Sequence, residues 1–188
     1  VVPQLCQRLA SPAEVIEKLK TVYVEPKYDG LRAQIHVFRD PLSSEKAPQV
    51  RVFTRSLEDV TAMFPEAIEV ALRIRASSVV LDGEAIGYDP ATGTLLPFQQ
   101  TITRKRKHDV AETAQTTPIK FFVYDVLSID GVSMIDVPLQ QRKAKLRALF
   151  DDSPQLAQPE YIVTSDPDEL QHFHERQLSL GLEGVVIK

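Results

Sequence analysis

Apolar residues in this chain recur at two different periods, and the two kinds of segment interleave. Over residues 31–38 the period is two. Leu31, Ala33, Ile35 and Val37 fall on one side of an extended strand, and Arg32, Gln34 and His36 fall on the other. β-Branched and aromatic runs predict further strands at residues 21–24, 50–54, 78–81, 85–88, 119–127, 161–163 and 184–188. The run at 119–127 is the most apolar of the chain and is expected to be a central strand. Helical spacing takes over elsewhere. Ser11 reads as an N-cap, with Pro12 at the first helical position and Glu14 three residues after the cap, followed by an apolar stripe of Val15, Ile16 and Leu19. Helices are also predicted over 64–75 (through Ala67, Ile68, Ala71 and Leu72), 98–108, 139–150 and 168–180, the last stopped by Gly181. Residues 40–49 and 89–93 carry turn signals. Strands joined by hairpins, with helices in irregular order, predict an α+β fold of antiparallel β-sheets flanked by helices, not a doubly wound parallel sheet.

Composition narrows this only a little. At 188 residues the chain is about one domain and can bury a substantial core. A content of 43% hydrophobic and 26% charged residues is that of an ordinary soluble globular protein. The net charge of −4 gives no global attraction to nucleic acid, so any such contact must be local. A single cysteine, Cys6, excludes an internal disulfide framework and a cysteine-based zinc site. No apolar run has the length of a transmembrane helix, the first residues do not form a signal-peptide pattern, and no membrane partner is expected. A cytoplasmic setting is therefore expected. Both ends break off among apolar or strand-like residues, so a domain cut from a longer protein is also expected.

Candidate chemistry concentrates at Glu25-Pro26-Lys27-Tyr28-Asp29-Gly30-Leu31-Arg32, where Asp-Gly is a turn signal between two strands. A lysine in such a hairpin is ordinarily a solvated side chain. An acid, a glycine and an arginine at fixed distances after it instead suggest an amine presented to an anion. About one lysine in 2500 is neutral at pH 7, so a nucleophilic lysine needs desolvation or nearby cations. Glu25, Glu84 and Glu183 are isolated acids on strands, beside glycines at what look like strand ends, and could converge on a divalent metal and a ribose; each alone reads as a solvated strand end. Tyr124 could stack on a base, whereas Phe121 and Phe122 read as core. Asp125 shares the parity of Phe121, Val123 and Leu127 and must be hydrogen-bonded if buried. Arg55 and the basic run 104–108 are candidates for phosphate contacts, although such a run is commonly a solvated helix end.

The order of these segments carries more than any one of them. Lys27-Tyr28-Asp29-Gly30-Leu31-Arg32 is followed by Arg55-Ser56-Leu57-Glu58-Asp59-Val60-Thr61, then Leu81-Asp82-Gly83-Glu84. Next come Phe98-Gln99 with Arg104-Lys105-Arg106, Phe122-Val123-Tyr124-Asp125, and Glu183-Gly184-Val185-Val186-Ile187-Lys188. The series resembles the ATP-dependent DNA ligases over nearly the whole chain, closest to the archaeal and eukaryotic replicative branch. The resemblance implies the covalent nucleotidyltransferase, ATP-grasp-like catalytic fold and a three-step reaction. Lys27 would attack the α-phosphorus of ATP and hold AMP, which would pass to the 5′-phosphate of nicked duplex DNA before the 3′-hydroxyl displaces it. By position, Glu25 would contact the adenine amino group and Tyr124 would stack on the ring. Arg32 and Glu84 would hold the ribose and phosphate side. Glu183, with Glu84, would serve Mg²⁺, Arg55 would meet the nick 5′-phosphate, and Arg104 would touch the DNA backbone. The family pattern continues past Lys188 with a Lys-x-Lys motif and an oligonucleotide-binding barrel, so this chain is expected to be residues 1–188 of an adenylation domain, without those parts or an N-terminal DNA-binding domain, and weak in adenylation alone. In a regular strand Lys188 would oppose Glu183, so both face the nucleotide only if the strand bends. A replication or repair role, a sliding-clamp partner and a nucleoid or nuclear location are further implications. An RNA ligase, a capping-type guanylyltransferase and a non-catalytic nucleotide- or DNA-binding module are the competing readings.

Overall fold

The computed structural model describes residues 6–40, 42, 47–102 and 117–188. In chain order the elements are α1 (Pro12–Leu19), β1 (Val22–Pro26), β2 (Leu31–Phe38), β3 (Gln49–Phe53), a 3₁₀ turn (Thr61–Met63), α2 (Glu66–Arg73), β4 (Ser78–Gly87) and α3 (Phe98–Ile102). They continue with β5 (Ile119–Ile129), β6 (Val132–Ser133), α4 (Leu139–Leu149), β7 (Leu156–Ala157), β8 (Ile162–Thr164), α5 (Pro167–Ser179) and β9 (Val185–Ile187). They form two compact units. One joins the segment ending at Asp29 to Pro159–Lys188; the other is Gly30–Gln158.

The first unit is a three-stranded antiparallel sheet, β8-β1-β9, with α1 and α5 on one face. Val22 and Val24 of β1 are fully buried against Val15, Leu170 and Phe173. Each such valine contributes about 1.5–3 kcal/mol by leaving water. The start of α1 is built as the sequence predicts. Ser11 accepts from the Glu14 N–H at 3.2 Å, and the Glu14 carboxylate reaches back to the Ala10 N–H at 2.9 Å. Asp166 caps α5 by accepting from the Asp168 N–H at 2.9 Å.

The second unit is a six-stranded sheet, β3-β2-β4-β5-β6, with β7 alongside β5 as a parallel addition. One face buries Ala33, Ile35, Val37, Leu81, Phe121, Val123 and Val126 against Ala67, Val70 and Ala71 of α2 and Leu146 and Leu149 of α4. Register then fixes the opposite face. Arg32 lies across from Glu84, Glu84 across from Phe122, and Gln34 across from Asp82. Arg39 donates to the Ala71 and Ala76 carbonyls at 2.7 and 2.8 Å and so caps the C-terminal end of α2.

Several expectations change. β1 and β2 lie in different sheets, so the Lys27 segment is not a hairpin. Gly30 has no positive φ; it is glycine because a Cβ there would stand 2.7 Å from Glu84 Cγ and Ile86 Cγ1 and 2.8 Å from the Ala85 carbonyl oxygen. β4 runs unbroken through Asp82-Gly83-Glu84, which places Glu84 inside a strand rather than at its end. On α2 the buried stripe is Ala67, Val70 and Ala71, continued by Ile74, while Ile68 and Leu72 are exposed. Leu19 is likewise exposed. β6 and β7 are too short for periodicity to reveal. The helix expected over 98–108 is described only as α3, and Arg104 with its basic run lies outside the described residues.

The parity assigned to Asp125 is also corrected. Gly83 pairs with Val123 and Asp82 with Asp125, so Tyr124 is an extra residue in β5; a second shift sets Leu81 against Val126 and Val80 against Ser128. Asp125 therefore leaves the core face and Val126 takes its place. Phe122, expected in the core, is half-buried on the opposite face, 5.4 Å from the Lys120 ammonium.

Candidate active site

Lys27 follows β1 on the face turned away from α1 and α5, in phase with Tyr23 and Glu25. Its N–H donates to the Gly184 carbonyl at 2.8 Å, while its own carbonyl accepts from the Glu183 N–H at 3.2 Å. Lys27 alone thus meets two residues of the partner segment, and the irregularity sits at Gly184, with φ of +123°. The bend has a direct effect. The Glu183 carboxylate forms an ion pair with the Lys27 ammonium, and Lys188 Nζ lies 2.5 Å from Oε2 of Glu25. Glu183 and Lys188 therefore both reach the same face of β1, which a regular strand would forbid. Glu25 is buried at 2% exposure, whereas half of the Lys27 side chain is open, so the amine is the reachable member of this ladder.

In the second unit the organising contact is between Arg32 and Asp82. Arg32 Nε and Nη2 donate to the two oxygens of Asp82 at 3.1 and 2.5 Å. Burial pulls the Arg32 pKa down. The Asp82 hydrogen bond, with the charges of Tyr124, Asp82 and Glu84, outweighs it and leaves the guanidinium pKa raised above its ordinary value. Arg32 Cζ stands 5.9 Å from the centre of the Tyr124 ring. Arg32, Glu84 and Tyr124 are therefore gathered on one face. Asp82 is the partner that sequence reasoning missed, although its spacing of two from Glu84 on a strand already put both on that face.

Arg55 is presented by a compact turn. The Thr54 N–H donates to the Glu58 carbonyl at 2.9 Å, the Leu57 N–H to the Thr54 carbonyl at 2.9 Å, and Leu57 takes φ of +64°. Asp59 accepts from the Thr61 hydroxyl at 2.6 Å and from its N–H at 2.9 Å, and these bonds hold its carboxyl below the usual range. The turn walls a cleft of about 470 Å³ whose lining includes Arg32, Arg55, Thr54, Ser56 and Glu58. Two guanidiniums beside hydroxyls suit an anionic ligand. Among the described residues no three His, Cys, Asp or Glu side chains converge as a metal cage, and no helix is long and apolar enough to cross a membrane.

The family model described as "ATP dependent DNA ligase domain" matches residues 3–188. The DNA ligase of Staphylothermus marinus is 38% identical over 188 residues, covering 99% of this chain and 30% of that protein. The probable DNA ligase of Dictyoglomus thermophilum is 38% identical over 185 residues, covering 98% of this chain and 30% of that protein. The chain thus spans about 30% of the length of these relatives. Among solved structures, the ligase domain of LigD from M. tuberculosis superposes with a TM-score of 0.60 at 27% identity, covering 90% of this chain and 49% of that one. A mycobacterial DNA ligase D complexed with ATP and MES matches equally, with a TM-score of 0.60 and 27% identity, over 90% of this chain and 48% of that one. On the match of the whole sequence and the shared nucleotidyltransferase fold, this chain belongs to the ATP-dependent DNA ligase domain family.

Proposed function

We propose that this chain is the adenylation portion of a longer ATP-dependent DNA ligase and that Lys27 is its nucleophile. The observation carrying this is the bend at Gly184, which brings Glu183 and Lys188 onto the face of β1 that bears Glu25 and the half-exposed Lys27 amine. Lys27 Nζ, after losing a proton, forms a bond to the α-phosphorus of ATP while the bond to the bridging oxygen breaks and pyrophosphate leaves. AMP remains as a phosphoramidate, is transferred to the 5′-phosphate of nicked DNA, and is released when the 3′-hydroxyl attacks. Such transfers depend on positioning and charge neutralisation more than on acid–base chemistry.

Glu25 would read the adenine amino group and Tyr124 would stack on the ring. Arg32 and Glu84 would hold the ribose and phosphate side. Mg²⁺ is the expected ion, because it characteristically takes one or two carboxylates and completes its shell with phosphate oxygens and water. Glu183 and Glu84 would supply those carboxylates, and the ion would neutralise phosphate charge. Arg55 would receive the 5′-phosphate of the nick and Arg104 the backbone. The DNA-binding domain, the Lys-x-Lys motif and the oligonucleotide-binding barrel of such a ligase would lie outside this chain. A role in replication or repair, contact with a sliding clamp, and residence in the cytoplasm with the nucleoid, or in a nucleus, follow from this reading.

Intact mass before and after incubation with ATP and Mg²⁺ tests it, on this chain and on the longer protein. A gain of one AMP in the longer protein, absent in Lys27→Ala, is the expected result. No gain, or a gain from GTP in place of ATP, overturns it.

A further inference from the structure

Tyr124 owes its place to a defect in β5, and the defect has donors of its own. Because Tyr124 is the extra residue between Val123 and Asp125, it joins Asp125 on the polar face of the sheet. β7 borders β5 only at Phe121 and Phe122, and β6 only at Ser128 and Ile129. Between those two pairings, α4 supplies the contacts. Lys143 Nζ donates to the Tyr124 carbonyl at 2.6 Å. Arg142 grips Asp125 with Nε to Oδ1 at 2.8 Å and Nη2 to Oδ2 at 2.9 Å, and its Nη1 donates to the Val137 carbonyl at 2.5 Å.

Both residues break the ordinary rules of a helix. Lys143 is 3% exposed and takes a place in the buried stripe with Leu146 and Leu149, where an apolar residue would pack as well. The two cations lie near the N-terminus of α4, which has no acid in its first turn and no side-chain cap, and there the helix dipole opposes positive charge. Violations of this kind persist where a site requires them.

We propose that Arg142 and Lys143 are positioning residues for the nucleobase. They lock the bulge so that the Tyr124 ring, beside Arg32, is held in the orientation on which a purine stacks. This rests on the reading of Tyr124 as the stacking residue of an ATP-dependent ligase. Neither side chain touches the reacting atoms; each acts through the backbone or the neighbour of Tyr124.

The test is Arg142→Gln and Lys143→Met in the full-length protein, followed through single-turnover formation of the lysyl adduct. The half-saturating ATP concentration is expected to rise about five- to twentyfold, with the rate at saturating ATP within about twofold of the parent. Inorganic tripolyphosphate, which has the phosphates without the base, should compete equally well in parent and variants. Melting temperatures are measured alongside, and a saturating-ATP rate within about twofold of the parent separates a displaced Tyr124 from a protein that no longer folds. In a Tyr124→Ala background each substitution should add less than about twofold. Unchanged ATP dependence, equal weakening toward tripolyphosphate, or effects that multiply with Tyr124→Ala would each overturn the proposal. If the parent protein forms no lysyl adduct, the ligase reading falls and takes this inference with it. If the parent reacts and the variants match it, the inference falls alone.

Discussion

Gly83→Ala is the substitution for which the structure gives the sharpest expectation. Gly83 lies in the interior of β4, between Asp82 and Glu84, on the ladder with β5. An added Cβ would stand 2.6 Å from the Phe122 carbonyl oxygen, 3.1 Å from Val123 Cα and 3.2 Å from the Phe122 carbonyl carbon. All three are backbone atoms, so no rotamer change relieves the overlap, and β4 and β5 must part locally. Overpacking of this kind costs about 1–3 kcal/mol. A ladder hydrogen bond weakened by the separation adds about 1 kcal/mol. The sum, about 2–4 kcal/mol, corresponds to a fall in Tm of roughly 6–12 °C for a protein of this size. Calorimetry on the parent and the variant measures it, with Gly93→Ala as control. Gly93 has φ of +74° with nothing within 4 Å of its would-be Cβ, so that change carries only the backbone cost of about 1 kcal/mol. Since Asp82 moves with the ladder, ATP binding should weaken as well. A Gly83→Ala protein melting within about 2 °C of the parent would refute the steric reasoning.

Other expectations follow from single contacts. Asp82→Ala strands the Arg32 guanidinium, whose side chain is only 28% exposed, and should cost about 2–3 kcal/mol in denaturant unfolding; a loss under about 0.5 kcal/mol would mean the pair is not a structural contact. Ser11→Ala removes the α1 cap and should cost about 0.5–2 kcal/mol, seen as faster amide exchange in α1. Burial lowers the His36 pKa, so its neutral form is favoured on folding. Stability is then complete above the unfolded value of about 6.5 and declines as pH falls below it, levelling off once the folded pKa is passed. His36→Gln should flatten that part of the Tm–pH curve, and an unaltered curve would exclude His36 as its source. Gly184→Ala forces a side chain into φ of +123° and 3.0 Å from His174 Nε2. It should straighten the entry to β9 and reduce lysyl-adduct formation at least tenfold, whereas parental rates would show the bend to be dispensable.

Where pattern alone determines structure, the sequence can be read directly. The alternation in β2, the capping box of α1 and the apolar run of β5 each require nothing beyond neighbours in the chain. Where a distant segment decides, local reading fails. Gly30 reads as a turn residue and Gly83 as part of a strand end, yet both are glycine because another part of the sheet approaches too closely for a Cβ. Strict alternation puts Asp125 on the core face, and a single extra residue at Tyr124 overrides it. Ile68 and Leu72 share a helical stripe with Ala71, but the sheet takes the neighbouring stripe through Val70 and Ile74. The basic residues of α4 resemble a solvated face, and only their carbonyl and carboxylate acceptors mark Lys143 as buried and Arg142 as partly so. Of the proposed site residues, Glu25, Lys27 and Glu183 meet in one unit and Arg32, Glu84 and Tyr124 in the other. That clustering depends on register, which spacing along the chain does not encode.

The unit that carries Lys27 is made of two segments, with the whole of Gly30–Gln158 between them. During synthesis Lys27 emerges before the whole of Gly30–Gln158, and the segment that supplies Glu183, Gly184 and Lys188 emerges after it. Contacts so distant in sequence form slowly, because chain closure must precede any gain from them. The ion pairs around the amine can therefore form only after the six-stranded sheet has had time to fold, so a ribosome-bound intermediate would hold Lys27 without its partners. The amine becomes a site only once translation has delivered β9.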